Sequence, residues 1–159
     1  MHRVFISLGA NLGDRGASLS EARQRLNAGG LREIRASSLY ETAAWGQENQ
    51  QPFYNQVLEM ETFLPPRELM HFLLDIEQQM GRVREEKYGP RKIDLDILFY
   101  DDAVIDETAL TIPHPYLHQR RFVLTPLAEI APALVHPVLN KTIRELEKDC
   151  SDTLPVQKI

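Results

Sequence analysis

Residues 93 to 100 read Ile93-Asp94-Leu95-Asp96-Ile97-Leu98-Phe99-Tyr100, and this run decides how the rest of the chain is read. It is the clearest strand in the sequence, bounded upstream by the turn residues Gly89-Pro90. Strand side chains alternate, so Ile93, Leu95, Ile97 and Phe99 share one face, and Asp94, Asp96, Leu98 and Tyr100 share the other. The two carboxylates therefore point the same way, about 7 Å apart by strand rise. They open the strand, while Leu98 and Tyr100 make the same face apolar further along. A paired negative charge thus stands at the mouth of a covered surface.

Working outward, the residues before this strand form a helix opened by Pro65-Pro66, with Leu69, Phe72, Leu73, Ile76 and Met80 as its apolar stripe and Gly81 as its stop. Upstream lie a strand over Tyr54 to Phe63 and another over Leu31 to Thr42. The polar loop between them carries Gly46, Gln47, Glu48, Asn49, Gln50, Gln51 and Pro52, and it is longer than a tight hairpin needs. Before those come a helix with Leu19, Ala22 and Leu26 at helical spacing, ended by Gly29-Gly30, and a first strand over Arg3 to Leu8. The order β-α-β-β-α-β predicts a ferredoxin-like α+β sandwich, an antiparallel sheet with helices packed on it. Downstream, Ala128 to Ala133 and Thr142 to Lys148 read as short helices forming a C-terminal extension. With 159 residues and no internal repeat, residues 1–159 are expected to form one domain.

Composition narrows the function classes. The net charge of −5 argues against general nucleic-acid binding, which needs a broad basic surface. Positive charge is instead concentrated between Arg82 and Lys92, a segment that carries +3 and leaves −8 for the remainder. A compact basic segment on an acidic protein suits a small polyanion. No stretch approaches the roughly 20 apolar residues of a membrane helix, and no export signal is visible at the start. The single Cys150 has no partner for an intramolecular disulfide, so a cytoplasmic setting is expected.

Asp94 and Asp96 repel one another unless a cation lies between or beside them, and magnesium is the natural candidate because it takes hard oxygen ligands. Charge placed on a solvent-facing strand edge is the competing reading of the same pair. Arg91, directly after Gly89-Pro90, weighs against it by bringing a guanidinium to the same mouth. Carboxylates that hold metal beside arginines that hold phosphate are the basic kit of phosphoryl transfer. The Gly9 to Gly13 turn lacks the Gly-Lys-Ser/Thr ending of a phosphate loop and reads as a strand-to-helix turn. One cysteine and scattered histidines cannot close a zinc shell. His114, between Pro113 and Pro115, has its direction fixed by the two prolines. On composition alone Phe53 and Phe122 are core residues and Asn55 is a turn residue.

Read together, these residues resemble the 6-hydroxymethyl-7,8-dihydropterin pyrophosphokinases over nearly the whole chain. The resemblance runs through Ser7-Leu8-Gly9-Ala10-Asn11-Leu12-Gly13-Asp14, Ser38-Leu39-Tyr40-Glu41-Thr42 and Phe53-Tyr54-Asn55. It is densest over Gly81-Arg82-Val83-Arg84 and Tyr88-Gly89-Pro90-Arg91-Lys92-Ile93-Asp94-Leu95-Asp96, and it ends with Ile112-Pro113-His114-Pro115 and Arg120-Arg121-Phe122-Val123-Leu124. It implies that Asp94 and Asp96 bind two magnesium ions bridging to ATP, and that Arg82 and Arg91 stabilise the moving diphosphate. Glu77, Arg84, Ile97, His114, Tyr116 and Arg120 are then nucleotide contacts. The pterin stacks between Phe53 and Phe122, with Asn55 and the backbone around Thr42, Ala44 and Trp45 at its polar edge. Glu85, Leu74 and Tyr88 depart from the family pattern at positions near ATP and the loop around it. The expected reaction moves the β,γ-diphosphate of ATP to the pterin hydroxymethyl group in folate synthesis, by a monomer whose partners are small molecules.

Two rivals remain open on the residues alone. A magnesium-dependent nucleotidyltransferase would use the same carboxylates but release pyrophosphate. A ferredoxin-like module that binds nucleotide or RNA would present a basic, aromatic sheet face without paired acids.

Overall fold

The computed structural model describes residues 1–43, 50–81 and 92–159. Its elements run β1 (His2–Ala10), α1 (Arg15–Ala28), β2 (Arg32–Ala36), β3 (Tyr40–Thr42), β4 (Phe53–Thr62), α2 (Pro66–Gln79) and β5 (Asp94–Tyr100). A small hairpin follows, β6 (Ile105–Asp106) and β7 (Thr111–Ile112), and then α3 (Arg121–Ile130), α4 (Ile143–Asp149) and β8 (Val156–Lys158). Among the described residues the main sheet has the order β5-β1-β4-β3-β8, with β2 also on β4. Its pairings are antiparallel throughout. This is the ferredoxin-like α+β arrangement expected from the sequence.

Local chemistry explains where the helices begin and end. Asp14 caps α1 by accepting from the Ala17 N–H at 3.0 Å, and Gly29 closes the helix. Pro66 fills the first turn of α2, and Gly81, at φ 84°, takes the left-handed conformation just past its end. Thr142 and Glu145 form a reciprocal capping box at α4.

The sheet separates two apolar cores. Val4, Ile6 and Leu8 of β1 face Leu19 and Leu26 of α1 and Leu69, Leu73 and Ile76 of α2. Phe5, Val57, Leu98 and Phe99 face the opposite way, against Val123, Leu124 and Leu127 of α3 and Ile143 and Leu146 of α4. Among the described residues, α3 and α4 pack on the end of this second face that carries Phe5, Val57, Leu98 and Phe99.

Three expectations are corrected. The alternation through 93–100 breaks, because Phe5 pairs with Phe99 and Ile6 with Ile97, leaving Leu98 as an extra residue in β5. This bulge turns both Leu98 and Phe99 toward α3 and sends Tyr100 to the α1 and α2 side, where its hydroxyl donates to the Leu64 carbonyl at 2.7 Å. Tyr100 therefore does not share the carboxylates' face, and Phe99 does. The strand read over Leu31 to Thr42 is two strands, interrupted at Ser37, whose hydroxyl accepts from the Val57 N–H at 2.9 Å. The helix read over Ala128 to Ala133 begins at Arg121 and ends at Ile130, with Pro126 inside it. A proline usually marks a boundary, since it removes an intrahelical bond. Here burial of Val123, Leu124 and Leu127 outweighs that loss. β8 has no counterpart in the sequence reading.

Candidate active site

Strand register builds the other end of the α3-side face. In β1, Gly9 lies opposite both Asn55 of β4 and Asp94 of β5, and Ser7 lies opposite Val57 and Asp96. In β3, Tyr40 and Thr42 lie opposite Asn55 and Phe53. Directly paired residues project to the same side. Asp94, Asp96, Ser7, Gly9, Asn55, Phe53 and Thr42 thus form one surface, with the carboxylates at one edge and the amide and hydroxyl groups toward the other. Two strand spacings separate Asn55 from Asp94, about 10 Å.

Each functional side chain is held by its element. Asn55 is 7% and Thr42 4% exposed, and the Asn55 Nδ2 donates to the Thr42 Oγ1 at 2.5 Å. Phe53 is half-buried where β4 begins, and Phe122 is half-buried in the first turn of α3 against the second core. Asp94 is half-buried and Asp96 exposed. Arg120 places its guanidinium 5.3 Å from the Tyr116 ring centre and 5.8 Å from that of Phe122, bringing positive charge to the same rim. His114 is tied to β5 by its N–H, which donates to the Leu98 carbonyl at 3.0 Å, and its Nδ1 accepts from the Tyr116 N–H at 3.2 Å. Burial, with the Arg120 charge adding, pushes the His114 imidazole down to about 4, so it is neutral at pH 7.

Glu77 and Ile97 stand elsewhere. Glu77 is 4% exposed on α2, and its carboxylate accepts from the Leu95 N–H at 2.8 Å, joining α2 to the strand between the two aspartates. The Ile97 side chain is buried in the core beneath α1 and α2. Arg82, Arg84, Arg91, Ala44 and Trp45 lie outside the described residues, as do Glu85 and Tyr88. Leu74 is exposed on α2.

The sequence reading missed several residues that shape this surface. Asn11, 2% exposed, donates to Gln50 Oε1 at 2.8 Å and to the Gln51 carbonyl at 3.1 Å, so the turn after β1 anchors the chain entering β4. Arg15 donates to Glu41 at 3.1 Å and to the Pro52 carbonyl at 2.8 Å, with its guanidinium 3.8 Å from the Tyr54 ring centre. Arg121 donates to carbonyls of Cys150 and Asp152, both at 2.9 Å, which fixes the helix that carries Phe122. Only polar residues flanking the strands signalled these roles.

Among the described residues no group of three or more His, Cys, Asp and Glu side chains assembles a protein-only metal cage. The donor set at the β5 end is a pair of hard carboxylates, which fits a cation that completes its shell with substrate oxygens.

Fold and site together suit an α+β enzyme of the phosphoryl-transfer class, with a pair of acidic groups beside polar and aromatic side chains. The model of the family 7,8-dihydro-6-hydroxymethylpterin-pyrophosphokinase (HPPK) matches residues 5–132. The 2-amino-4-hydroxy-6-hydroxymethyldihydropteridine pyrophosphokinase of Aquifex aeolicus is 41% identical over 94% of this chain and 92% of its own length. That of Methylorubrum extorquens is 42% identical over 91% of each chain. The crystal structure of Plasmodium falciparum HPPK-DHPS wild type matches with a TM-score of 0.75 at 19% identity, covering 93% of this chain and 44% of that one. This chain thus spans less than half of that structure's chain. The chain belongs to the 7,8-dihydro-6-hydroxymethylpterin pyrophosphokinase family.

Proposed function

We propose that the chain carries out its family's reaction, diphosphate transfer from ATP to 6-hydroxymethyl-7,8-dihydropterin in folate biosynthesis, on this α3-side sheet face, with the two substrates seated side by side. One observation carries this assignment. Asp94 and Asp96 share a face with Asn55, Thr42 and Phe53, and across the sheet Gly9 and Ser7 of β1 stand between the two groups.

The pterin lies between Phe53 and Phe122, where two aromatic faces suit a flat heterocycle. Asn55, Thr42 and the backbone at Ala44 and Trp45 orient its polar edge. Asp94 and Asp96 would hold two magnesium ions, which when bound offset the charge of the ATP phosphates and help orient them. His114, Tyr116, Arg120 and Arg84 line the nucleotide, while Glu77 acts indirectly by fixing the Leu95 backbone between the two aspartates and Ile97 by packing the strand that carries them. The pterin hydroxymethyl oxygen attacks the β-phosphorus in line, the bond from that phosphorus to the α-phosphate oxygen breaks, and AMP leaves. The hydroxyl proton passes to solvent or phosphate oxygen. Arg82 and Arg91 stabilise the charge on the moving group, so positioning and electrostatics supply the rate. Among the described residues no helix is long and apolar enough to cross a membrane. We place the chain in the cytoplasm as a single-domain monomer.

Incubation with ATP, magnesium and the reduced hydroxymethyl pterin tests the reading through its products. AMP and pterin diphosphate are expected in equal amounts. Free pyrophosphate would instead identify a nucleotidyltransferase, and ADP a transfer of one phosphate.

A further inference from the structure

Gly9 occupies an unusual position for a glycine. It is an interior residue of β1, hydrogen-bonded into the sheet between β4 and β5, where a glycine costs conformational entropy and packs no side chain. Gly13, Gly30 and Gly81 have positive φ, whereas Gly9 does not, so backbone conformation does not require a glycine here. What Gly9 supplies is space. A Cβ at this position would lie 3.2 Å from Asn55 Oδ1, 3.8 Å from Phe53 Cδ1 and 3.9 Å from the Tyr54 carbonyl. All three neighbours belong to β4, the pterin side of the proposed site. The Asn55 amide cannot swing away without loss, because its Nδ2 is bonded to Thr42 Oγ1 in a buried setting. The carboxamide is therefore held at one end by the threonine hydroxyl and admitted at the other by the absent side chain.

We infer that Gly9 is a positioning residue for Asn55: its missing side chain lets the Asn55 carboxamide lie across β1 in the one orientation that reads the polar edge of the heterocycle. The inference rests on the assignment of Asn55 to the pterin. It gives the glycine in the Leu8-Gly9-Ala10-Asn11 segment a role in substrate recognition separate from the turn that follows it. A methyl group added here would push the amide by a few tenths of an ångström, or break its bond to Thr42. Either change misdirects the oxygen that receives the pterin's N–H groups. The carboxylates of β5 are not among the close neighbours, so nucleotide binding is spared.

Calorimetric titration of Gly9→Ala, Asn55→Ala and the double variant decides the matter. The ligands are Mg-ATP, and the reduced hydroxymethyl pterin in the presence of a non-hydrolysable ATP analogue. Gly9→Ala is expected to weaken pterin binding about tenfold or more while Mg-ATP affinity stays within about twofold. In the Asn55→Ala background the same substitution should add less than about twofold, since the group it disturbs is already gone. The inference is overturned if Gly9→Ala binds pterin like the parent while Asn55→Ala does not, or if the two losses simply multiply. It is also overturned if Gly9→Ala melts earlier and loses both ligands together, which marks a structural role. Parent-like pterin binding by Asn55→Ala would overturn the pocket assignment itself, and the inference with it.

Discussion

His114 shows how a single residue at the rim of the site takes its character from its surroundings. Burial and the nearby Arg120 push its imidazole down to about 4, against about 6.5 for a histidine in an unfolded chain. The folded protein therefore binds fewer protons than the unfolded one between these values, so His114 makes stability fall as pH drops from about 6.5 to about 4. His136 is lowered mainly by burial, with His118 adding, and acts in the same direction. An NMR titration of the ring protons checks this: His114 should remain neutral at pH 5.5, and a midpoint near 6.5 would contradict the burial argument. Gly29 gives a second test at this scale. A Cβ there would stand 1.9 Å from Phe72 Cζ, so α1 and α2 meet face to face across a missing side chain. Gly29→Ala should cost about 1–3 kcal/mol in urea unfolding. In a Phe72→Ala background most of that cost should vanish.

Elements carry what individual side chains cannot. β3 is only three residues long, yet it presents Thr42 to the site, and its alignment rests on α3. Glu129 of that helix accepts from the Ser38 N–H at 2.9 Å, the Ser38 hydroxyl at 2.8 Å and the Tyr40 hydroxyl at 2.8 Å. Burial and the Glu129 carboxylate together push the Tyr40 hydroxyl up to about 12. Lys158 of β8 lies 3.7 Å from the same carboxylate, and β8 pairs along the whole of β3. Glu129→Ala should therefore destabilise the fold by about 1–3 kcal/mol, because it leaves the buried Tyr40 hydroxyl without its acceptor. It should also weaken pterin binding more than ATP binding, and Glu129→Gln should restore much of both. Paired calorimetric and thermal measurements on the two variants check this. The same element shows why the sequence was only partly readable here. The run from Leu31 to Thr42 carries no Gly or Pro to mark the break at Ser37, which depends on partners from β4. The bulge at Leu98 was hidden likewise, since an extra residue in a strand is set by its neighbour's register and leaves no mark on local spacing.

At the scale of the molecule, the order of elements and the ferredoxin-like sheet were legible because strong periodicity and Gly-Pro punctuation mark them. The placement of Asp94 and Asp96 on one face was legible too, since both precede the bulge that reverses the alternation. The grouping of Thr42, Asn55 and Phe122 beside them was legible only through the family resemblance, and the place of Gly9 not at all, because these residues come from four separate elements brought together by sheet register and the seating of α3. Family membership names the reaction, and register supports the proposal of where on this chain it takes place. The central claim is that metal-bound ATP is held at the β5 end of the α3-side face. Its most direct test is the magnesium dependence of ATP affinity in Asp96→Ala, measured by equilibrium titration beside the parent. The account expects the variant to lose both tight ATP binding and its dependence on magnesium, while the fold, read by thermal unfolding, is retained because Asp96 is exposed. A variant that binds ATP with the parent's magnesium dependence would place the metal elsewhere and contradict the account.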